Sequence, residues 1–322
     1  MIKYSVIGTS WITKSFIEGA NLYEDLSLDG VYSRSFEKGS AFAEETGAKR
    51  VFTDFNDLAS SDTDLVYVAS PNVCHYEQCK VLLSKGKHII CEKPITITAE
   101  EFNELCDIAN EKDLVYFEAI MYMHTPLRQV LKDAVSKIGN IRSATIDFSQ
   151  LSSKYQALKN GELPNIFNPE MKTGALNDLG IYCVYPVIDL FGMPERITPV
   201  QHFLHTGADG GGSAAFEYSD KLVTITYSKV GQSRSASQIM GDEGTVTIES
   251  VSKLDNIKLY NNNGEEILLN GETDKKYLMG NEAKSAIDFI LKREETDNFL
   301  KECQLMNKNV LLCMEKMRVE NA

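Results

Sequence analysis

Three stretches of the sequence hold residue types that could perform chemistry: Gly8–Thr13, Cys91–Pro94 and Gly174–Tyr182. The first is a glycine followed by small hydroxyl residues, which is typical of a turn that brings backbone N–H groups to a phosphate. The second places a lysine ammonium after an apolar run, and the third places Asp178 four residues before Tyr182. Residues four apart on a helix share a face, so this carboxylate and this phenol could serve one site.

The first stretch departs from the dinucleotide fingerprint G-x-G-x-x-G/A at two positions. Gly8 occupies the place of the tight turn, whereas Ser10 and Thr13 stand where the fingerprint has its other glycines. A small serine still lets a phosphate approach, and its hydroxyl could donate a hydrogen bond. An ordinary strand-to-helix turn is the alternative, but a position at the start of a βαβ series favours a nucleotide site. The predicted contacts are Gly8, Thr9, Ser10, Trp11 and Ile12.

The end of the second predicted strand should select the nucleotide. An acidic side chain there binds a ribose 2′-OH, whereas a basic one accommodates a 2′-phosphate. The sequence supplies Ser33 and Arg34, with Lys38 one helical turn later. Hydroxyls with a guanidinium fork suit a phosphate, so NADP is predicted ahead of NAD. The alternative is that Arg34 and Lys38 are solvated surface residues.

The composition limits the possible partners. The 322 residues include 33 Lys and Arg against 46 Asp and Glu, which gives a net charge of −13. This balance disfavours a nucleic-acid backbone or an anionic membrane surface, but it leaves room for a local site that binds one phosphate. No apolar run approaches the length of a membrane span, and the first residues lead into a strand rather than a signal peptide. We therefore expect a cytoplasmic protein without a membrane partner.

The seven cysteines are odd in number and include no CxxC pair. A disulfide framework and a zinc site are both disfavoured, and reduced thiols are expected. His202 and His205 have no carboxylate pattern around them, so no metal site is predicted.

The chain length favours two domains, and the periodicity changes near residue 122. Before that point, short apolar runs alternate with helix-period segments, which predicts βαβ units and a parallel sheet. Beyond it, Gln150–Thr173 is irregular and suits a loop that covers a site, Ala175–Phe191 predicts a helix, and Ile197–Leu269 predicts a mainly antiparallel sheet. Two helices close the chain. If the outer face of the antiparallel sheet is apolar, we expect another subunit to cover it.

Three motifs in a fixed order add a family resemblance. Val68–Asn72 precedes His75, Cys91–Pro94 follows the next strand, and Gly174–Tyr182 lies about eighty residues further on. Together they resemble the Gfo/Idh/MocA oxidoreductases, a family named for glucose–fructose oxidoreductase, inositol dehydrogenase and a rhizopine-catabolism protein. The resemblance extends over essentially the whole chain.

The resemblance implies a Rossmann domain with a doubly wound parallel sheet (1–122) and an α+β domain with a largely antiparallel open sheet (123–322). The last helices could pack back on the first domain. The open sheet commonly pairs subunits in this family, so a homodimer or homotetramer is expected. The implied cofactor contacts are Gly8, Thr9, Ser10, Trp11, Ile12, Ser33, Arg34, Lys38, Ser70, Pro71, Asn72, His75, Glu92, Lys93 and Pro94. For His75, a ring satisfied within the protein is an equally good interpretation.

Many family members carry histidine where this chain has Tyr182. The surrounding sequence is more similar to the branch of dimeric dihydrodiol dehydrogenase, glucose–fructose oxidoreductase and NADP-dependent xylose dehydrogenase. Glu118–Tyr122 and Asn281–Lys284 fit the same branch. In that branch the tyrosine is the acid/base, Lys93 would lower its pKa and bind the substrate oxygen, and Asp178 would orient sugar hydroxyls or hold Lys93 charged.

The resulting hypothesis is an NADP-linked dehydrogenase or reductase acting on a small sugar-like substrate, with oxidation of an aldose at C1 favoured. Catalysis is assigned to Lys93, Tyr182 and Asp178. The predicted substrate contacts are Lys93, Glu118, Tyr155, Asn165, Asp178 and Tyr182. The alternative is a non-catalytic regulatory protein of the same fold that binds NADP and a sugar.

Overall fold

The computed structural model describes residues 1–319 of the chain. These residues form two compact units. Met1–His124 and Asp274–Lys308 make up the first unit, and Thr125–Thr273 with the described residues from Asn309 onward make up the second. Each unit therefore combines two separated parts of the sequence.

The first unit contains a six-stranded parallel sheet in the order β3-β2-β1-β4-β5-β6. Its first elements are β1 (Ile2–Ile7), α1 (Trp11–Ala20), β2 (Leu26–Tyr32), α2 (Phe36–Thr46), β3 (Arg50–Phe52), α3 (Phe55–Ala59), β4 (Leu65–Val68), α4 (Asn72–Ser84), β5 (His88–Glu92), α5 (Ala99–Glu111), β6 (Tyr116–Ala119) and α6 (Met121–His124). All four residues of β4 are buried, as expected for a strand covered on both faces. The direction of the strand order reverses between β1 and β4, and in such sheets a crevice opens there at the carboxyl ends of the strands.

The second unit contains an eight-stranded sheet in the order β14-β13-β12-β11-β7-β10-β9-β8. Its elements are α7 (Leu127–Val135), β7 (Ile141–Ser149), α8 (Tyr155–Lys159), α9 (Ile181–Phe191), β8 (Arg196–Phe203), β9 (Asp209–Glu217), β10 (Leu222–Ser228), β11 (Ser237–Gly241), β12 (Gly244–Ile248), β13 (Ile257–Asn261) and β14 (Glu266–Leu269), with 3₁₀ turns at Asn165–Phe167 and Pro169–Met171 and a π-helical turn at Leu176–Gly180. Neighbouring strands are antiparallel except for β7 and β10, which are parallel. The predicted fold class, a parallel Rossmann sheet followed by a largely antiparallel one, is confirmed.

The open face of the second sheet is mostly polar. Thr224 lies beside Thr145 across the parallel pair, with 3.3 Å between their hydroxyl oxygens, and Ser213 lies 3.0 Å from Thr226 across the next pair. Threonine fits a pleated sheet because it is β-branched, while its hydroxyl tolerates water. The sequence analysis considered an apolar outer face for this sheet. In the structure, the apolar side chains exposed on it, such as Val200, stand apart from one another. The oligomeric state stays a prediction.

Two helices complete the chain, α10 (Lys275–Leu291) and α11 (Arg293–Met317). Helix α10 packs closely on α1 in the first unit because glycines meet at the contact: a Cβ on Gly19 would lie 2.6 Å from the backbone nitrogen of Gly280. Any side chain at Gly19 would push the helices apart.

Within residues 1–319, no helix is long and apolar enough to cross a membrane, and no group of three His, Cys, Asp or Glu side chains could hold a metal ion.

Candidate active site

The predicted phosphate-binding turn lies at the carboxyl end of β1. Gly8 has φ +101°, a conformation that side chains rarely adopt, and a Cβ there would lie 2.7 Å from the carbonyl oxygen of Ala69. Its N–H donates to the Tyr32 carbonyl at 3.2 Å. The glycine thus lets the ends of β1, β2 and β4 approach each other, which is the requirement that the fingerprint's first glycine meets.

The turn leads directly into α1, so backbone donors of its first turn face the crevice end of the sheet. Ser10 is the N-cap residue, but its side chain makes no capping hydrogen bond to the helix; its Oγ lies 3.3 Å from the Thr13 Oγ1. Trp11, the first residue of α1, is 68% exposed. A glycine cradle followed by uncapped amides fits the pyrophosphate of a dinucleotide.

The end of β2 forms a second small cradle. The Ser35 N–H donates to Ser33 Oγ at 3.3 Å, and the Ser35 hydroxyl oxygen in turn accepts from the Lys38 N–H at the start of α2. Arg34 lies between the two serines and is exposed, as is Lys38. One acidic group is nearby, because Glu37 accepts a hydrogen bond from the Ser35 hydroxyl at 3.0 Å. The side chains here suit an anionic 2′-phosphate.

The segment after β4 is held to the segment after β5 by a buried histidine. His75 is 1% exposed, and its Nδ1 and Nε2 each lie 2.9 Å from a carbonyl oxygen, of Pro94 and Ser70 respectively. Burial lowers the pKa of this ring. Ser70 Oγ donates to Gln78 at 2.6 Å. Pro71 is the N-cap residue of α4, which begins at Asn72. The contacts of His75 fix the backbone beside Lys93.

The end of β5 carries Glu92 and Lys93, and the Lys93–Pro94 bond is cis. Glu92 accepts from the Tyr67 hydroxyl at 2.5 Å and from the Lys93 N–H at 3.3 Å. Burial raises the pKa of the Glu92 carboxyl, while the Tyr67 hydrogen bond opposes that shift. Lys93 itself is half-buried.

Glu118 supports the same loop from β6. Its side chain accepts from the Ile95 N–H at 2.7 Å and from Asn307 at 3.1 Å, and the residue is 3% exposed. Its predicted contact with substrate stays a prediction, but these hydrogen bonds show Glu118 holding the backbone that follows Lys93.

A second buried carboxyl, Glu282, comes from α10. It is 1% exposed, and its Oε2 has no hydrogen-bond partner among the described residues. Burial raises its pKa well above the ordinary value, and the charge of Glu92 raises it further. Lys275 opposes this shift electrostatically. The first unit therefore keeps two carboxyls with raised pKa values close to the strand end that carries Lys93.

In the second unit, Asp178 and Tyr182 lie at the junction of a π-helical turn with α9. Asp178 forms an ion pair with Lys229, which follows β10. The Lys229 side chain is 7% exposed and that of Asp178 30%. Short π-helical turns are frequent at functional sites because they shift side chains relative to the regular helix.

A half-buried carboxylate caps this turn. Asp209, at the start of β9, accepts a hydrogen bond from the Leu176 N–H through Oδ2 at 2.7 Å. Its Oδ1 lies so close to Gly174 that a Cβ added there would be only 1.8 Å from this oxygen. Gly174 has φ +112°. Burial raises the pKa of Asp209 to about 6, with hydrogen bonds from Leu176 and Ala175 and the charge of Lys229 acting against it.

Tyr182 is half-buried and packs edge-on against Phe148, with ring centroids 5.5 Å apart. The irregular segment before the π-helical turn holds the two other predicted sugar contacts. Tyr155 packs against Phe167 at 6.0 Å, and Asn165 is exposed and lines a cavity of about 560 Å³. Tyr182, Asp178 and both of these residues thus belong to the second unit, whereas Lys93 and the predicted nucleotide contacts belong to the first.

The sequence interpretation missed Lys229, Asp209 and the space that Gly174 leaves for the Asp209 carboxylate. Lys229 follows a predicted strand and carries no motif. Asp209 stands next to Gly210, and Gly174 is itself a glycine, which marks flexible backbone but does not identify a partner. Their pairing depends on which strands become neighbours in the second sheet.

Comparison with known proteins places this geometry in a family. The Oxidoreductase family, NAD-binding Rossmann fold, matches residues 2–120, and the GFO/IDH/MocA C-terminal domain matches residues 127–247. The chain belongs to the Gfo/Idh/MocA oxidoreductases. The resemblance inferred from the three motifs is confirmed, and with it the class of nicotinamide-dependent oxidoreductase.

Similar proteins extend over most of the chain. A scyllo-inositol 2-dehydrogenase (NADP(+)), IolU of Bacillus subtilis, is 36% identical over 90% of this chain and 88% of its own length. YgjR of Escherichia coli, an uncharacterised oxidoreductase, is 38% identical over 79% and 77%. The structure of KijD10, a 3-ketoreductase from Actinomadura kijaniata in complex with TDP-benzene and NADP, matches with a TM-score of 0.85 at 20% identity, over 99% of this chain and 97% of that one. This last match shows a shared fold.

Proposed function

We propose that this protein transfers hydride between NADP and a CH–OH group of a sugar or a related cyclic polyol. The observation that carries the proposal is the Gly8 cradle at the meeting point of three parallel strand ends, beside the Ser33–Ser35 segment and within the sheet that presents Lys93. Aldose oxidation at C1, or the reverse carbonyl reduction, is the reaction that the sequence favours. The similarity to a scyllo-inositol 2-dehydrogenase supports a ring carbon as the alternative position.

Each proposed catalytic residue has a distinct role. When bound, the nicotinamide supplies the hydride acceptor or donor. Tyr182 takes the proton that leaves the substrate hydroxyl during oxidation and returns it during reduction. A free tyrosine has a pKa of about 10, so the reaction needs a nearby positive charge to stabilise the phenolate. We assign that charge to Lys93, which also donates a hydrogen bond to the substrate oxygen as negative charge develops there.

Asp178 has a narrower proposed role than the sequence allowed. Its ion pair with Lys229 supplies the carboxylate with a cation from its own unit. A carboxylate has about four acceptor positions, so it can still accept from substrate hydroxyls. We therefore propose that Asp178 orients the sugar rather than maintaining the charge of Lys93.

The decisive experiment is a nicotinamide absorbance assay over aldoses, inositols, dihydrodiols and dicarbonyls with both cofactors. On the best substrate, we expect Tyr182→Phe and Lys93→Met each to lower kcat by about 100-fold or more, because each removes a group that acts in the proton transfer. Tyr277→Phe and Lys276→Met change exposed side chains and serve as matched controls. Near-normal turnover by either catalytic variant contradicts the assigned mechanism. Binding of NADP without turnover on any substrate class would favour the non-catalytic regulatory protein.

The cofactor preference has a separate test. Arg34→Ser removes the guanidinium of the Ser33–Ser35 segment, and we expect the Kd for NADP to rise about tenfold while the Kd for NAD stays unchanged. Isothermal titration calorimetry measures both constants. Tighter binding of NAD than NADP by the unaltered protein would remove Arg34 from its proposed role without affecting the roles of Lys93 and Tyr182.

A further inference from the structure

A cation from the far end of the sequence lies at the start of α1. The Lys275 ammonium is 3.6 Å from the centroid of the Trp11 ring. Trp11 is the only tryptophan of the chain, is 68% exposed, and follows the Gly8 turn by three residues. A cation over an indole face is attracted by the negative face of the ring, which holds the ammonium at this place.

The backbone that carries Lys275 is fixed relative to that turn. Lys275 is the first residue of α10, and α10 contacts α1 through glycines. A Cβ on Gly19 would lie 2.6 Å from the Gly280 nitrogen and 2.8 Å from the Lys276 carbonyl oxygen. Because the two helices meet backbone to backbone, the start of α10 keeps its distance from the start of α1.

Electrostatic interactions also connect Lys275 with the end of β5, where Lys93 lies. Its positive charge acts on Glu92, the residue before Lys93, and on the buried Glu282. The ammonium therefore lies within electrostatic reach of the catalytic strand end while contacting the first residue of α1. In a dinucleotide that spans these two places, the anionic group between them is the pyrophosphate, and its nicotinamide-side phosphate is the nearer to Lys93.

We propose that Lys275 binds the phosphate on the nicotinamide side of the cofactor pyrophosphate, with the Trp11 ring holding its ammonium in place. This inference rests on the proposed function, because it assigns one more contact within the same nucleotide site. Helix α10, which belongs to the first unit but follows β14 in the sequence, would then contribute to the affinity for the cofactor.

The test compares Lys275→Met with Lys276→Met, its exposed neighbour on α10. Calorimetry gives the Kd of each protein for NADP, NAD and adenosine 2′,5′-bisphosphate, which lacks the nicotinamide-side phosphate. For Lys275→Met, we expect the Kd for NADP and for NAD to rise by a similar factor of about ten, because a charge-assisted hydrogen bond is lost. The Kd for the bisphosphate should change less than about twofold, and Lys276→Met should match the unaltered protein for all three probes.

Two results would overturn the inference while leaving the proposed function intact: an unchanged Kd for NADP in Lys275→Met, or an equal loss of affinity for the bisphosphate. Failure of the unaltered protein to bind any of the three probes would overturn the proposed function as well. Trp11 emission supplies a second readout, because no other tryptophan contributes. We expect NADP to change this emission in the unaltered protein, and binding without any such change would contradict the contact.

Discussion

The two units build their parts of the proposed site from different materials. In the first unit the nucleotide cradle is made mainly of backbone: the Gly8 turn, the uncapped start of α1, and two carbonyl groups bridged by His75. In the second unit the site is made of charged side chains, with Asp178 paired to Lys229 and Asp209 capping the π-helical turn. The arrangement in the first unit depends on backbone conformation and on space for the backbone. The arrangement in the second unit depends on the charges of its side chains.

This difference changes what each half should tolerate. A backbone cradle accepts many side chains except where a Cβ has no space, so its weak points are glycines. A cluster of partly buried charges is sensitive to each partner and to pH, because an unpaired or protonated member changes the stability of the whole cluster. Substitutions in the two units should therefore give different signatures.

Gly8→Ala is the strongest test of the backbone cradle. The new Cβ would meet the Ala69 carbonyl oxygen at 2.7 Å, and φ +101° is unfavourable for alanine. We expect the free energy of unfolding to fall by about 3 to 4 kcal/mol, from the combined strain and overlap. Gly47→Ala is the matched control, because it has φ +81° with no atom within 4 Å of the added Cβ, and it should cost about 1 kcal/mol. Equal losses in denaturant unfolding would show that contact with Ala69 does not limit the turn.

Asp209 gives the second unit a pH signature. Burial raises its pKa from 3.8 to about 6, so the folded protein holds this proton more tightly than the unfolded chain does. Its contribution to stability is therefore fully present below about pH 4 and is lost as the pH rises through about 6. The loss amounts to about 3 kcal/mol over that window.

Asp209→Asn removes the titrating proton and so isolates this effect. The free energy of unfolding of the unaltered protein, minus that of the variant, should fall by about 3 kcal/mol between pH 4 and pH 7. Denaturant unfolding at a series of pH values measures this difference, and other carboxylates cancel because both proteins contain them. A difference that stays constant with pH would contradict the raised pKa and weaken the contrast between the two units.

The contrast also explains which features could be predicted from the sequence. In the first unit most site residues lie at or just beyond the carboxyl ends of strands, and these ends meet in a parallel sheet, so local motifs predict their assembly. The predicted alternation of strands and helices there is confirmed, and helix α1 begins at Trp11, directly after Ser10. Ser10 makes no side-chain capping bond, so the usual signal for a helix start is weak.

The second unit depends on pairings that no local pattern encodes. Residues 175–191 have one helical periodicity, and that periodicity does not separate the π-helical turn at Leu176–Gly180 from the α-helix that follows. The partner of Asp178 lies 51 residues away, and that of Leu176 lies 33 residues away. Lys229 reaches its position because β10 pairs in parallel with β7 inside an otherwise antiparallel sheet. Sheet neighbours of this kind follow from the tertiary fold.

The Asp178–Lys229 pair tests whether side-chain charge governs the second unit, and its expected effect is the smallest of the three. Asp178→Asn removes the carboxylate that is ion-paired with the buried Lys229 ammonium, so we expect a loss of about 2 kcal/mol in unfolding free energy. Lys229→Met leaves a carboxylate that is 30% exposed and can be hydrated, so about 1 kcal/mol should be lost. Denaturant unfolding of both single variants and the double variant gives the coupling energy.

Arg196 and Glu217 provide the matched control for that cycle. They lie in the same unit and form several close hydrogen bonds, but their side chains are 71% and 35% exposed. Water and salt screen such a pair, so its coupling energy should stay below about 1 kcal/mol, less than that of Asp178 and Lys229. Equal coupling energies in the two cycles would mean that burial adds nothing to the Asp178–Lys229 pair. The second unit would then hold its proposed catalytic turn through the Asp209 cap and packing, by backbone contacts like those of the first.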